Sequence, residues 1–220
     1  MQTDNDLPPT VFVVDDDAET CASLRALLEV LGFTIRTFSG PASFIRFYTP
    51  QMPGCLIVDI RMPRQTGLEL YEQLLRERKR LPVIFMSGHA DVPTAVAAMK
   101  TGAVEFLEKP FDRGLLLERV QTALALDAKW RERDAELSSI EERIGRLSQR
   151  EQETLDMILA GESNKAMAAK LDLTERAVEM RRAAIMKKLE VRSLAELLDL
   201  AVTHRVRDEL RRATQQLPSI

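Results

Sequence analysis

Cysteine and histidine are scarce: the 220-residue chain holds two of each, with the cysteines at Cys21 and Cys55. Neither their number nor their spacing suits a disulfide framework or a zinc site. Both cysteines are expected to be small hydrophobes in a reducing compartment. Long apolar runs are also missing. Nothing approaches the roughly 18 residues that a membrane helix needs, and residues 1–10 lack the basic-then-apolar layout of a signal peptide. The expectation is a cytoplasmic protein with no membrane partner. A surplus of positive charge is absent too. With a net charge of −3, any affinity for nucleic acid must be local rather than a property of the whole chain. What is present is 45% hydrophobic and 30% charged residues, ordinary for a globular protein and enough for one large domain or two smaller ones.

After a polar start over residues 1–9 that is expected to be disordered, Val11-Phe12-Val13-Val14 reads as a buried strand ending in Asp15-Asp16-Asp17. Leu24, Leu27, Leu28 and Leu31 recur at helical spacing, and Gly32 stops that helix. Further strands are expected at 33–38, in the run Cys55-Leu56-Ile57-Val58 that ends at Asp59, at 82–86 and at 103–107. Helical stretches separate them. This rhythm implies βαβ units and a parallel sheet covered on both faces. Right-handed crossovers then bring the five carboxyl ends to one edge, where open α/β sheets bind ligands.

The residues leaving that edge are Asp15, Asp16, Asp17, Asp59, Ser87 and Lys109. A single carboxylate at a strand end is ordinarily a turn or cap residue; what singles out Asp59 is this company. Crowded carboxylates stay ionised only beside a cation, and oxygen ligands without His or Cys point to Mg²⁺. A hydroxyl and an ammonium facing them suit phosphoryl oxygens. The constellation suggests that Asp59 accepts a phosphoryl group with Mg²⁺ assistance.

Val-Val-Asp-Asp-Asp at 13–17, Val-Asp-Ile-Arg-Met-Pro at 58–63, Ser-Gly-His-Ala-Asp-Val-Pro at 87–93 and Phe-Leu-Glu-Lys-Pro-Phe at 106–111 together resemble the receiver domain of two-component response regulators of the FixJ-like branch. The resemblance implies that Asp59 is the phosphoacceptor. It further implies that Asp16, Asp59 and the main-chain carbonyl of Arg61 ligate Mg²⁺, with Asp15 acting through a water. Ser87 and Lys109 would bind the phosphoryl oxygens, and Lys109-Pro110 would be a cis peptide. Phe106 stands where many receivers carry a switching Tyr, so it is either an aromatic switch driven by packing or a plain core residue. His89 lies beside this site and is either a contact to a hydrolytic water or an exposed loop residue. Asp17 is expected to cap the following helix rather than bind metal.

Past Leu115 the helical pattern does not stop cleanly. Trp130, Leu137, Ile140, Ile144 and Leu147 fall at heptad-like intervals among charged residues, so residues 126–146 read as a linker helix. It either pairs two chains or lies on its own domains. Ser148 and Glu151 then form a capping-box pattern at a helix start. Short helices follow at 149–160, 164–171, 175–189 and from Ser193 to about His204, the second and third joined by the tight turn Asp172-Leu173-Thr174. That is a helix-turn-helix arrangement. In the third of these helices Val178, Ile185 and Leu189 should be buried. Arg176, Glu179, Met180, Ala183 and Lys187 share the outward stripe, flanked by Arg181, Arg182 and Lys188. Basic side chains there suit phosphates, and the stripe suits base edges in a major groove.

Leu-Ser-Gln-Arg-Glu at 147–151, Ser163-Asn164-Lys165, Ala177-Val178-Glu179 and Ile185-Met186-Lys187-Lys188-Leu189 resemble the LuxR-type helix-turn-helix of NarL/FixJ regulators. Arg181 and Ala177 depart from that pattern, standing where His and Thr are usual. The expected architecture is therefore a (βα)5 doubly wound parallel-sheet receiver domain over residues 10–125, a helical linker over 126–146 and a small all-α four-helix DNA-binding domain over 147–212, with a frayed tail at 213–220. The expected partners are a sensor histidine kinase, a double-stranded DNA operator and a second copy of the chain on phosphorylation. No enzymatic turnover beyond self-phosphorylation and slow self-dephosphorylation is expected. Two rivals are a phospho-signalling adaptor whose helical domain binds protein, and an Asp-nucleophile phosphatase. The latter usually needs a second carboxylate two residues after the nucleophile, where this chain has Arg61.

Overall fold

The computed structural model describes residues 7–88 and 92–216, with side chains as far as Glu209. The chain divides into two compact units, residues 1–131 and 132–220. Five strands build the first unit: β1 (Thr10–Val14), β2 (Thr34–Phe38), β3 (Gly54–Asp59), β4 (Val83–Ser87) and β5 (Glu105–Glu108). They pair in parallel in the order β2-β1-β3-β4-β5. Between them run α1 (Ala18–Val30), α2 (Pro41–Phe47), α3 (Gly67–Arg76) and α4 (Val92–Lys100), and α5 (Arg113–Gly145) follows β5. This is the doubly wound parallel sheet expected from the strand–helix alternation.

The period-2 geometry of strands sorts the core into two layers. Phe12, Val14, Leu56, Val58 and Phe85 point to one face and meet Phe44 and Tyr48 of the α2 segment and Leu70, Tyr71 and Leu74 of α3. Val11, Val13, Cys55, Ile57, Ile84 and Met86 point to the other and meet Leu24 and Leu28 of α1 and Leu116, Val120 and Ala123 of α5. Cys55 is buried in that second layer, Cys21 is half-buried, and both are free thiols. Because both faces are covered, β1, β3 and β4 carry near-continuous apolar runs.

The second unit holds the end of α5 and four further helices, α6 (Gln149–Leu159), α7 (Asn164–Leu171), α8 (Glu175–Lys188) and α9 (Leu194–Gln216). Ile140, Leu147, Leu155, Ile158, Met167, Val178, Ile185, Leu189, Leu197 and Leu200 form its core. Glu151 accepts hydrogen bonds from both the main-chain N–H and the hydroxyl of Ser148 (2.8 Å each), which fixes the start of α6. Asp172 takes the left-handed conformation (φ 51°) that turns α7 into α8, and Thr174 caps α8 through its hydroxyl.

Two elements are longer than the sequence pattern suggests. α9 runs past His204 to Gln216. α5 is one unbroken helix of 33 residues, and the first compact unit ends at Arg131 within it, inside the stretch 126–146 read as the linker. Ile140 and Leu147 of the heptad-like series are buried in the core of the second unit, with Ile144 packed against it. Among the described residues no helix is long and apolar enough to cross a membrane.

Candidate functional site

The carboxyl ends of β1 and β3 lie side by side, because Val14 pairs with Val58. Asp15 follows the first and Asp59 ends the second, so two carboxylates emerge at neighbouring points of one edge. Both are buried, with 2% and 6% of their surface exposed. Lys109, immediately after β5, reaches across the edge. Its ammonium donates to Asp15 Oδ2 (2.8 Å) and to Asp59 Oδ1 (2.7 Å). The remaining oxygens are held by main chain: Asp17 N–H donates to Asp15 Oδ1 (2.9 Å) and Arg61 N–H to Asp59 Oδ2 (2.7 Å). Burial alone would lower the Lys109 pKa, but the hydrogen bonds to the two aspartates outweigh it and hold the ammonium above its ordinary range.

Ser87, fully buried at the end of β4, accepts the Lys109 N–H through its main-chain oxygen (2.8 Å) and so stands next to the lysine. The Lys109–Pro110 bond is cis. Gly67 brings the start of α3 against the same edge. A Cβ at this position would lie 2.3 Å from the Asp59 carbonyl oxygen, so only glycine permits the approach.

The structure therefore gathers Asp15, Asp59, Ser87 and Lys109 in one place. Asp16 adjoins them in the chain but is exposed, and among the described residues no three His, Cys, Asp or Glu side chains are grouped to hold a metal. Asp17 caps α1, accepting from Glu19 N–H (3.0 Å) and the Thr20 hydroxyl (2.7 Å). Phe106 is half-buried and packs against the first core layer, paired across the sheet with Phe85. His89 lies outside the described residues.

In the second unit, the outward stripe of α8 is as its spacing implies. Arg176, Glu179, Met180, Ala183 and Lys187 are all exposed, and Met180 keeps 68% of its surface in solvent. The flanking cations are engaged within the unit. Arg181 donates to the Thr154 hydroxyl (3.3 Å), Arg182 to Asn164 Oδ1 (2.8 Å) and Lys188 to Glu151 Oε2 (2.7 Å). These tie α8 to α6 and α7. The Lys188 ammonium, followed by the Ser148 N–H, holds the Glu151 carboxyl down to about 2.

Sequence reasoning missed one polar cluster at the opposite end of β3. Asp127 of α5 is buried and accepts from Gly54 N–H (2.8 Å) and Arg131 Nε (2.7 Å). Arg131 also donates to the carbonyls of Pro50, Gln51 and Met52. Trp130 beside it stacks under the Arg80 guanidinium at 3.6 Å. The i,i+4 spacing of Asp127 and Arg131 was a readable signal of a pair, but the three carbonyls were not.

Two family models match the chain: the response regulator receiver domain over residues 11–121 and the bacterial regulatory proteins of the luxR family over residues 145–201. The response regulator protein TmoT of Ectopseudomonas mendocina is 37% identical over 94% of this chain and 93% of its own length. The transcriptional regulatory protein FixJ of Azorhizobium caulinodans is 40% identical over 87% of this chain and 91% of its own. Among solved structures, the response regulator StyR matches with a TM-score of 0.82 at 41% identity, covering 88% of this chain and 98% of that one.

Proposed function

Because the chain belongs to the response regulators that join a receiver domain to a LuxR-type DNA-binding domain, we propose that it is a transcriptional regulator switched by Mg²⁺-dependent phosphorylation of Asp59. The observation that carries this reading is the Lys109 ammonium bridging two buried carboxylates at 2.7 and 2.8 Å. One cation against two buried anions leaves net negative charge in a poorly solvated place, which suits an added hard cation. Asp16, Asp59, the Arg61 main-chain carbonyl and, through water, Asp15 would hold it. When bound, Mg²⁺ supplies neutralisation of the charge on the transferring phosphoryl group.

A carboxylate oxygen of Asp59 attacks phosphorus on the phosphohistidine of a sensor kinase. The phosphorus–nitrogen bond breaks and the imidazole leaves with its electron pair. The Lys109 ammonium and the Ser87 hydroxyl hold oxygens of the new acyl phosphate. The added charge pulls on the ends of β4 and β5, and Phe106 repacks against its core layer. This changes the face carrying the exposed Val92, Val96 and Met99 of α4, which favours pairing of two chains. In the DNA-binding unit Lys187 and Arg176 meet phosphates, and Glu179, Met180 and Ala183 face base edges. The remaining donors of Arg181, Arg182 and Lys188 face the DNA backbone. Apart from this single phosphoryl transfer and its slow hydrolysis, the protein is not an enzyme, and it acts in the cytoplasm.

The test is incorporation of acid-labile phosphate with Mg²⁺ present, followed by gel shift on genomic fragments with and without beryllofluoride. Asp59→Asn is expected to abolish labelling, and retained stoichiometric label would refute the assignment. Lys187→Ala is expected to weaken DNA binding and lower the salt slope by about one, as loss of one phosphate contact requires. A helical unit that shifts no DNA under either condition would favour the adaptor reading.

A further inference from the structure

The cations that flank the outward stripe of α8 are drawn towards their own unit, Arg181 to Thr154, Arg182 to Asn164 and Lys188 to Glu151. The stripe itself presents Arg176 and Lys187 at its ends, with Glu179, Met180 and Ala183 between them, all exposed. We propose that Met180 and Ala183 read thymine methyl groups, and Glu179 a cytosine amino group, on the floor of the major groove. The partner is then a duplex whose half-sites are chosen by thymine methyls and one cytosine rather than by hydrogen bonds to guanine. This rests on the reading of α8 as the helix that enters the groove.

Spacing along the helix separates the ends of the stripe from its middle. At 1.5 Å per residue, Arg176 and Lys187 lie roughly 16 Å apart, against a groove about 12 Å wide. Long cations at both ends of such a span reach the phosphates of the two walls, which position the helix and carry no sequence information. The central residues are left facing the base edges. Steps of three and four residues keep them on the same face as the cations.

Neither Glu179 as a carboxylate, nor Met180, nor Ala183 has a side-chain hydrogen-bond donor. Guanine shows only acceptors in the major groove. Placed under these side chains, it would lose water from N7 and O6 and gain no bond in return. Glu179 accepts only, and no described residue holds it in a hydrogen bond or ion pair. Its carboxylate fits the amino group of cytosine. Met180 keeps 68% of its surface in water. That apolar area is there to be buried, and an unbranched thioether chain can follow a methyl group on the groove floor. Ala183, one turn further along, offers a short methyl that matches the C5 methyl of a second thymine.

Full-length protein with Mg²⁺ and beryllofluoride is used to enrich duplexes from a random pool, and the enriched duplex is titrated in matched salt. Replacing each thymine in turn by deoxyuridine removes the C5 methyl and leaves base pairing intact. One or two thymines in each half-site are expected to cost about fourfold in affinity, the worth of one buried carbon group. In Met180→Ala the loss at one of these thymines should vanish and the other persist. The salt slope should stay at the wild-type value, because no phosphate contact is removed. Glu179→Gln exchanges a carboxylate for an amide that pairs with adenine, so renewed enrichment should replace one cytosine by adenine. Half-sites without thymine, methyl losses kept in full by Met180→Ala, or a cytosine unchanged in Glu179→Gln overturn the readout and leave DNA binding intact. Failure to enrich any duplex overturns the DNA-binding reading, and the readout with it.

Discussion

Lys109 stands between two buried carboxylates, and that charge count decides which substitutions the site tolerates. With the ammonium gone, Asp15 and Asp59 face each other unpaired at the sheet edge. Breaking a buried ionic group in this way costs roughly 3–5 kcal/mol. Removing the Asp59 charge instead leaves one ammonium with one carboxylate. Lys109→Met is therefore expected to lower unfolding stability by about 3 kcal/mol and Asp59→Asn by less than about 1 kcal/mol, measured by urea unfolding at pH 7 without Mg²⁺. Millimolar Mg²⁺ should recover part of the Lys109→Met loss by mass action. The raised Lys109 pKa fixes the sign of the alkaline limb: its contribution is complete below 10.5, the ordinary lysine value, and disappears only as pH climbs through the raised one. Asp59, Ser87 and Lys109 were legible in the sequence because each closes or follows a strand-like run, and a parallel sheet must collect such ends. The inequality between Asp15 and Asp16 was not. Adjacent aspartates look alike in a sequence, and only the pleat, continuing one residue past β1, turns Asp15 inward and leaves Asp16 in solvent.

α8 has two jobs divided between its faces. Its outward stripe stays free, while Lys188 at its last turn reaches Glu151 in the first turn of α6. A depressed carboxylate pKa contributes stability that is present above the ordinary value of 4.5 and lost as pH falls towards about 2. Glu151→Gln keeps an acceptor for the Ser148 cap but loses the charge facing Lys188. The expected outcome is a loss of no more than about 1 kcal/mol at pH 7 and a shallower decline of melting temperature between pH 4.5 and 2, followed by circular dichroism. An unchanged acid limb would show that the ion pair contributes nothing there. The capping box was visible as Ser148 and Glu151 three residues apart, since a helix start is a local matter. The assignments of Arg181, Arg182 and Lys188 were not, because Thr154, Asn164 and Glu151 lie 18 to 37 residues away. The clamp of Arg131 on the carbonyls of residues 50–52 spans 79 to 81 residues. It fastens α5 to the first unit as far as Arg131.

α5 belongs to both compact units. Arg131 is fixed on the carbonyls of the loop that leads into β3, and Ile140 is buried in the helical core. Between them, residues 132–136, 138 and 139 are exposed, so this stretch keeps its helical form through its own backbone and little packing. Coupling between phosphorylation and DNA binding is a free energy that some shared element or assembly must carry. Glu136→Pro tests whether the helix carries it. The substitution removes one hydrogen bond and clashes with the carbonyl of Glu132, costing about 3 kcal/mol of local helix, while touching neither core. Beryllofluoride binding and the DNA affinity of the unmodified protein should then stay close to wild type, because each depends on one unit alone. The gain in DNA affinity that beryllofluoride produces should shrink. Linkage makes the reciprocal quantity equally informative: the increase in beryllofluoride affinity produced by DNA must shrink by the same factor. Both are measurable by titration in matched salt. A variant that keeps the full gain in both directions would place the coupling in the pairing of chains rather than in the continuity of α5.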